Sequence, residues 1–201
     1  MKSPTARLLL AGLVLFSSFL QACNTRSNQE QRPNVLLIVA DDMNYDSPGF
    51  SGGVAPDVTP NLDQLAKESM YFENAFLTVS VCQPSRQSML SGLTPAHYGS
   101  GGFFPMEAGT PTLPLLLGEA GYLTGNIHKK HHMLPFESFN WDYSNEELGL
   151  TAPDGVVGRD PQMVAGALQR FIETANEQDK PFFMVVNSAD PHRPFHGDPP
   201  Q

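Results

Sequence analysis

Residues 81–92 place a thiol and a guanidinium four positions apart at the start of a predicted helix. Pro84 suits the first position of a helix because its nitrogen has no hydrogen to leave unpaired, and Gly92 is a typical helix end. Cys82 then lies where backbone N–H groups and the helix dipole favour an anion, and Arg86 adds a permanent cation suited to an oxyanion. The spacing therefore indicates a reactive site for an anionic group. A buried thiol before an ordinary amphipathic helix is the structural alternative.

A pair of carboxylates follows the first predicted strand. Residues 34–40 form a continuous apolar run, which is typical of a strand buried on both faces of a parallel sheet. Asp41 and Asp42 come directly after it, beyond the carboxyl end of the strand, where open α/β sheets bind their ligands. Hard divalent cations prefer carboxylate oxygens as ligands. The pair is therefore a candidate metal site, with a solvated strand end as the alternative.

Two further predicted strands also end in polar residues. Residues 121–127 lead into the basic segment 128–132, and residues 181–187 lead into the segment 188–194, which contains Asp190, His192 and Arg193. Taken singly, these segments would be a solvated basic turn and a proline-rich exit loop.

The rest of the chain divides into predicted helices, loops and one short strand. Helical spacing of apolar residues predicts helices that begin near residue 59 and that cover residues 112–120 and 161–178. Residues 71–81 are predicted to form a short strand that leads to Cys82. Residues 99–110 are predicted to form a loop, and residues 142–160 a long connection. This alternation predicts an α/β fold with a mostly parallel central sheet flanked by helices.

The string Cys82-Gln83-Pro84-Ser85-Arg86 resembles the maturation signature of the type I sulfatases. In that family a formylglycine-generating maturation enzyme oxidises the cysteine of the motif to Cα-formylglycine, an aldehyde whose hydrate is the nucleophile. The resemblance covers most of the chain from Arg32 onward, and its motifs follow one another in family order. It implies an alkaline-phosphatase-like α/β sandwich and the hydrolysis of a sulfate ester or sulfamate.

The resemblance also implies roles for the carboxylates and the cations. A divalent metal, calcium in this family, would be held by Asp41, Asp42 and the modified Cys82. Arg86 and Lys129 would direct positive charge at the sulfate oxygens. One hydroxyl of the hydrated aldehyde would then attack sulfur.

Two histidines match family positions for proton transfer. His192, in a Pro-His-x-Pro motif, would donate a proton to the leaving oxygen or nitrogen, and His131 would be the base that restores the aldehyde. His128 stands where the family has glycine, so a different backbone is expected there. His132 matches no family role and is expected to be exposed.

The segments Lys129-Lys130-His131 and Asp190-Pro191-His192-Arg193 are similar to the sulfamidase (heparan N-sulfatase) branch, which cleaves N-sulfate from glucosamine. Within this resemblance Asp190 would bind a sugar hydroxyl or ammonium, and Arg193 a uronate or a further sulfate. The expected substrate is a sulfated small molecule or glycan resembling N-sulfoglucosamine. An aryl- or other O-sulfatase of the same family is the alternative.

The first 32 residues indicate export. Residues 1–22 combine two basic residues with an apolar run that is too short to span a bilayer, as in a signal peptide, and a transmembrane anchor is the alternative. Residues 20–23 are similar to a bacterial lipobox, which implies that Cys23 is lipidated and becomes the mature N-terminus. Residues 23–32 are polar and predict a flexible tether. The protein is therefore expected in the periplasm or at the cell surface, bound to a bacterial membrane only through its lipid anchor.

Residues 33–201 are expected to be the N-terminal part of a sulfatase catalytic domain that is truncated at its C-terminus. The family's remaining metal ligands and a second lysine lie well downstream of the Pro-His-x-Pro motif, and no such segment occurs before Gln201. The 201-residue chain by itself is therefore expected to be inactive.

Composition and motif chemistry narrow the remaining alternatives. The formal net charge is −9, so nucleic acid is not an expected partner. Cys23 and Cys82 are the two cysteines, and both have roles, which leaves none for a structural disulfide.

A phosphatase or phosphodiesterase of the same superfamily would use Ser or Thr as nucleophile, and the Cys-x-Pro-Ser-Arg motif argues against it. The other alternative is a non-catalytic lipoprotein that binds sulfated glycans. Such a protein would not need conversion of Cys82 to formylglycine.

Overall fold

A computed structural model describes residues 32–195 of the chain. The predicted signal peptide, the predicted lipidation site Cys23 and most of the predicted tether lie outside the described residues. The boundaries at residues 22 and 32 therefore stay predictions. None of the helices within residues 32–195 is long and apolar enough to span a membrane.

Three parallel strands form the centre of the described fold. They are β1 (Val35–Asp41), β2 (Leu123–Ile127) and β3 (Phe182–Pro191), and β3 lies between the other two. Val35 pairs with Phe183 in one ladder and Leu123 pairs with Phe182 in the other. All three strands therefore end at the same edge of the sheet. The sequence predicts each of them, although β3 runs on to Pro191 instead of ending at Asn187.

The four predicted helices occur in the predicted order within residues 32–195, together with two short helices that were not predicted. They are α1 (Pro60–Glu68), α2 (Cys82–Ser91), α3 (Leu113–Glu119), α4 (Phe136–Phe139), α5 (Asp154–Val157) and α6 (Pro161–Glu177), with 3-10 turns at Gly49–Ser51 and Lys130–His132. Thr112 caps α3 by accepting a hydrogen bond from the N–H of Leu115. Asp160 caps α6 by accepting from the N–H groups of Gln162 and Met163. The short α5 lies within the predicted long connection.

Helix α2, which carries the Cys-x-Pro-Ser-Arg motif, begins earlier than predicted. Cys82 is its first residue and Val81 its N-cap, so Pro84 is the third residue of the helix. Pro84 is still accommodated there because the first N–H groups of a helix have no partner within it. Gly92 ends the helix with a φ of 69°, as predicted.

The side chains of β3 alternate between two apolar clusters, one on each face of the sheet. Met184 packs in a cluster with Phe171 of α6. Phe183 packs in the other cluster with Leu90 of α2 and Phe139 of α4. The sheet is therefore layered between helices, which confirms the predicted α/β architecture.

Two predictions about strands are wrong within the described residues. β1 is not buried on both faces, because Ile38 is 65 % exposed and β1 is the edge strand of the described sheet. Residues 71–81 form an exposed irregular segment instead of a short strand. A strand needs a neighbour to complete its hydrogen-bond ladder, and none of the described strands lies beside this segment.

Candidate active site

The shared edge of the three strands brings together residues that are far apart in the sequence. Asp41 is the last residue of β1, Lys129 comes shortly after β2, and His192 follows β3 directly. Cys82 reaches the same place as the first residue of α2. One ligand atom each from Asp41, Cys82 and His192 lie within 4.8 Å of one another. Several of the predicted site residues therefore form one cluster.

Asp41 is buried between two basic side chains. Its Oδ2 lies 2.6 Å from Nζ of Lys129, and its Oδ1 lies 3.6 Å from Nη2 of Arg86. Burial raises the pKa of Asp41, but the hydrogen bond from Lys129 and the charges of Arg86 and Lys129 outweigh it, so the pKa lies below its usual value. Asp41 is therefore a carboxylate at neutral pH.

Cys82 lies beside this carboxylate and is partly exposed. Its thiol donates a hydrogen bond to Oδ1 of Asp41 at 3.5 Å. Burial raises the pKa of Cys82, and the charge of Asp41 raises it further against the opposing charges of Lys129 and Arg86. The start of α2 was expected to favour the thiolate anion here, but burial and the charge of Asp41 have the larger effect on the pKa of Cys82. The unmodified thiol is therefore a weak nucleophile, because the thiolate is the reactive form.

Arg86 is buried and makes three directed contacts. Its Nη1 donates to the carbonyl oxygen of Cys82 at 3.2 Å, and its Nε donates to Oδ1 of Asn187 at 3.2 Å. Its Nη2 faces Asp41. These contacts hold a planar cation beside position 82, where it can bind an anion.

Lys129 reaches Asp41 because the chain turns sharply after β2. His128 and Lys129 have φ values of 63° and 57°, in the left-handed region that glycine favours. Both residues thus adopt a conformation that glycine takes up readily, and the expected departure from the family's backbone at His128 stays a prediction. Lys130 points elsewhere and donates to Oγ of Ser144 at 2.8 Å.

The two histidines that end the basic segment have opposite environments. His131 is exposed and His132 is buried, with their ring centroids 4.2 Å apart. Burial lowers the pKa of His132 to about 3, and the charges of His131, Lys129 and Arg86 lower it as well. The expectation that His132 is exposed is therefore wrong. It is a neutral imidazole close to the cations of the site.

The segment after β3 is held by Arg159, which the sequence analysis did not single out. Arg159 donates from Nη2 to the carbonyl oxygen of His192 at 2.6 Å and from Nε to Oδ1 of Asp190 at 2.8 Å. Nδ1 of His192 lies 2.5 Å from the carbonyl oxygen of Arg193. The structure therefore places the carboxylate of Asp190, a predicted substrate ligand, in an ion pair within the protein.

Two other predicted site residues lie at the surface. The guanidinium of Arg193 is exposed and lies 5.6 Å from the ring centroid of Phe195. Asp42 is exposed and does not belong to the group of possible metal ligands found in residues 32–195. The structure thus brings Asp41 into the cluster and leaves its neighbour outside.

The donors of the cluster fit a divalent cation. Asp41 offers a carboxylate oxygen, His192 a ring nitrogen, and position 82 a side-chain atom. The sulfur of an unmodified Cys82 is a soft ligand, whereas an oxygen at that position would suit calcium. A cation bound here would share Asp41 with Lys129 and Arg86.

Asn126 and Asn187 are fully buried in β2 and β3 and were also missed by the sequence analysis. Their signal in the sequence was an asparagine within a segment predicted to form a strand of the central sheet. Arg159 had no such signal, because its role depends on how the connection before α6 folds against the end of β3.

Comparison with known proteins identifies the family. Residues 33–201 match the model of the Sulfatase family. Human N-sulphoglucosamine sulphohydrolase is 38% identical over 173 residues, which cover 83% of this chain and 33% of the human protein. This chain therefore spans about a third of the length of that relative.

Solved structures show the fold. A protein in complex with its substrate D-glucosamine-2-N,6-O-disulfate superposes with a TM-score of 0.65 at 23% identity, over 81% of this chain and 35% of that chain. A protein of the alkaline phosphatase superfamily from Vibrio parahaemolyticus superposes with a TM-score of 0.61 at 23% identity, over 85% of this chain and 43% of that chain. These similarities confirm the predicted alkaline-phosphatase-like fold. The match of residues 33–201 to the family model shows that this chain belongs to the sulfatase family.

Proposed function

We propose that the full-length protein hydrolyses a sulfate ester or sulfamate, releasing an alcohol or amine and inorganic sulfate. The observation that carries the proposal is the convergence of Arg86 and Lys129 on Asp41 beside Cys82. Two cations directed at a reactive position can stabilise the negative charge of sulfate oxygens in a transition state. Membership of the sulfatase family supports the same chemistry.

Cys82 is the proposed position of the nucleophile. As a thiol it has a raised pKa and donates to Asp41, so it is poorly suited to attack sulfur. Conversion to Cα-formylglycine by a maturation enzyme would supply a hydroxyl of the hydrated aldehyde instead. Arg86 would hold this residue in place through the carbonyl oxygen of position 82. A thiol adduct could not release sulfate by the same route, because it has no second hydroxyl.

His192 and His131 are the proposed proton carriers. Nδ1 of His192 is close to the carbonyl oxygen of Arg193, so proton transfer to the leaving group falls to Nε2. Arg159 anchors the backbone of His192 and so limits the movement of its ring. His131 is exposed two residues after Lys129, and we propose that it accepts a proton as sulfate is released.

We propose calcium as the metal of the site, with Asp41 as its buried carboxylate ligand. When bound, it would neutralise charge on the sulfate oxygens. Position 82 would contribute an oxygen after conversion to formylglycine, and the exposed Asp42 is a further candidate ligand. The closeness of position 82 to the carboxylate of Asp41 supports this proposal, and the imidazole of His192 beside them is kept for proton transfer because calcium prefers oxygen ligands.

N-sulfoglucosamine at a chain end is the proposed substrate. The name of the human relative refers to N-sulphoglucosamine, which supports this choice. Arg193 is exposed next to His192 and could bind a carboxylate or sulfate on the sugar. A second candidate is an O-sulfate ester, because the substrate of one structural neighbour carries both N- and O-sulfate groups.

The test uses full-length protein purified from its native host. Mass spectrometry of the peptide that contains position 82 should detect formylglycine, and sulfate release should be measured with N-sulfoglucosamine, O-sulfated sugars and aryl sulfates. We expect N-sulfoglucosamine to have the highest kcat/KM. Arg193→Glu should lower turnover of the sugar more than that of an aryl sulfate, because only the sugar reaches Arg193. Lys180→Glu, an exposed charge reversal outside the site, is the matched control.

The outcomes separate the parts of the proposal. An unmodified Cys82 together with no sulfate release from any substrate would refute the sulfatase function. A higher kcat/KM for aryl sulfates or O-sulfated sugars would refute only the choice of substrate. Equal damage to sugar and aryl turnover in Arg193→Glu would refute contact between Arg193 and the sugar.

A further inference from the structure

We propose that Asn187 is a positioning residue that holds the two cations of the active site, Arg86 and Lys129, in a fixed relation to each other. The inference rests on the proposed sulfatase function and concerns a side chain behind the reacting groups. Asn187 lies in the central strand β3 and is fully buried. Its amide group contacts both Arg86 and the turn that carries Lys129.

The carbonyl side of the amide fixes Arg86. Oδ1 of Asn187 accepts a hydrogen bond from Nε of Arg86 at 3.2 Å. Because the guanidinium is planar, fixing Nε also fixes the directions of its two terminal nitrogens. One of these donates to the carbonyl oxygen of Cys82 at 3.2 Å, and the other faces Asp41 at 3.6 Å. Asn187 thus sets the rotation of the guanidinium beside position 82.

The amino side of the amide fixes the turn before Lys129. Nδ2 of Asn187 donates to the carbonyl oxygen of His128 at 3.0 Å and to that of Ile127 at 3.1 Å. His128 and Lys129 both have left-handed φ values, which residues with side chains keep only where their surroundings hold them. This conformation directs Nζ of Lys129 to Asp41 at 2.6 Å.

Two other asparagines support the same turn. Nδ2 of Asn126 donates to the carbonyl oxygen of His128 at 2.9 Å, and Oδ1 of Asn145 accepts from the N–H of His128 at 2.8 Å. Asn126 also accepts from Nδ2 of Asn187 at 3.1 Å. The side chain of Asn187 differs from these two because it is hydrogen-bonded both to the turn and to Arg86.

Burial shows why position 187 needs an amide. A polar side chain in the core is unfavourable unless its polar atoms are bonded, and both polar atoms of Asn187 are. An apolar residue here would remove a partner from Nε of Arg86 and from the His128 carbonyl in a buried region. Since both contacts end on one side chain, a shift of the turn is transmitted to Arg86.

The test is Asn187→Leu in the full-length enzyme, because leucine has a similar shape but neither donor nor acceptor. We expect kcat for sulfate release to fall roughly 10- to 100-fold, the range found when supporting residues let catalytic groups shift. KM should change by less than about threefold, because misplaced cations lose contacts made in the transition state. A folded Asn187→Leu variant with the kcat of the wild type would overturn the inference.

Thr124→Val is the matched control. Thr124 is fully buried in β2, and its hydroxyl exchanges hydrogen bonds with Asp142, away from Arg86. The variant should lose stability through a broken buried hydrogen bond while the folded protein keeps its kcat. A comparable loss of kcat in Thr124→Val would mean that Asn187 has only a general structural role, which would overturn the inference.

A double-mutant cycle with Arg86→Ala tests whether Asn187 acts through Arg86. In the Arg86→Ala background, Asn187→Leu should cause a smaller further loss of kcat than in the wild type, because one of its two targets is gone. Losses of kcat that add up fully would overturn the link between Asn187 and Arg86.

Asn187→Asp is the variant to use if Asn187→Leu does not fold, since aspartate keeps the acceptor for Arg86 and loses the donors to the turn. A wild-type kcat in Asn187→Asp would overturn the contribution of the turn.

An NMR measurement separates this inference from the proposed function. In protein with isotope-labelled arginine, the Nε–H signal of Arg86 should be protected from hydrogen exchange in the wild type and in Asn187→Asp, and unprotected in Asn187→Leu. If the wild type releases no sulfate, the proposed function fails, but this signal still tests the contact between Asn187 and Arg86. Equal protection in the wild type and in Asn187→Leu would overturn the contact.

Discussion

Nζ of Lys129 lies 2.6 Å from Oδ2 of Asp41, and both side chains are almost completely removed from solvent. Asp41 ends β1 and Lys129 lies in the turn after β2, and these two strands do not pair with each other because β3 lies between them. The ion pair therefore joins the two outer strands of the described sheet at the edge that carries the site. Breaking such a pair leaves a charge with neither water nor a full set of partners.

Lys129→Met should destabilise the folded protein. In the metal-free protein it leaves the buried carboxylate of Asp41 with Arg86 at 3.6 Å as its remaining cation among the described residues. We expect a loss of about 2–3 kcal/mol in the free energy of unfolding, below the roughly 3–5 kcal/mol typical of a broken buried pair, because Arg86 compensates in part. Urea denaturation measures the change. The double variant Asp41→Asn, Lys129→Met should recover much of the loss, since no buried charge is then left unpaired.

Lys130→Met is the control for this prediction. The neighbouring Lys130 pairs with Glu146 at 3.5 Å, but both side chains are accessible to water. Exposed ion pairs contribute about 0–1 kcal/mol, so this variant should change stability much less. If Lys129→Met and Lys130→Met lower the free energy of unfolding equally, burial of the ion pair between Asp41 and Lys129 does not affect stability.

Cys82→Ala should abolish sulfate release and keep the fold. Alanine fills most of the volume of cysteine and suits the first turn of α2, so the cost in stability should stay below about 1.5 kcal/mol. Sulfate release and thermal unfolding of the full-length protein measure the two effects. Met89→Ala, on the same helix but half-exposed, should keep full activity. Turnover near that of the wild type in Cys82→Ala would exclude a nucleophile at position 82.

Arg159→Ala should impair catalysis through His192. It removes the hydrogen bonds to the His192 carbonyl and to Asp190, so the segment after β3 loses its anchor. We expect kcat to fall by roughly 10-fold or more, with a changed pH profile because the proton donor is no longer held. Arg170→Ala is the matched control, since Arg170 also donates to a backbone carbonyl, that of Leu148, outside the site. If both variants lose activity equally, Arg159 has no specific role.

His132 should make the stability depend on pH in mildly acidic solution. Its pKa is about 3 in the folded protein and about 6.5 in the unfolded chain, so between these values the unfolded state binds a proton that the native state does not. Its contribution to stability is therefore lost as pH falls from about 6.5 toward 3. The free energy of unfolding should fall more steeply in the wild type than in His132→Asn, by up to about 1.4 kcal/mol per pH unit.

Urea denaturation between pH 6.5 and pH 5 checks this prediction, because that interval lies above the main titration of carboxylates. His97→Asn, which removes an exposed histidine, is the matched control. Identical slopes in the wild type and in His132→Asn would mean that His132 can take up a proton in the folded state.

Cys23→Ser should release the protein from the membrane fraction. The prediction rests on the lipobox-like residues 20–23, which lie outside the described residues. We propose that lipidated Cys23 anchors the exported protein, because a tether of polar residues follows it. Fractionation and labelling with a radioactive fatty acid measure the outcome. Unchanged membrane association of the serine variant would exclude the anchor.

Short motifs and local periodicity determined much of the fold and of the site. Apolar runs predicted β1 and β3, because a buried parallel strand needs apolar side chains on successive positions whatever its neighbours are, and residues 121–127 were predicted to contain a further short strand. The residues just after these runs had to be near one another once the strands were parallel. The resemblance to the sulfatases then singled out Asp41, Lys129 and His192 in these segments without any knowledge of the strand order.

Only the tertiary structure decided which side chains meet and which face water. The order β1-β3-β2 put β3 in the centre, so that Asn187 lies between Arg86 and the turn after β2, and left β1 exposed in the described residues. In the 3-10 turn that follows the left-handed residues 128 and 129, His132 is buried and His131 is exposed. Arg159, in the connection between α5 and α6, forms an ion pair with Asp190 near the end of β3. Each of these outcomes depends on contacts between distant segments, and local spacing carries no information about those contacts.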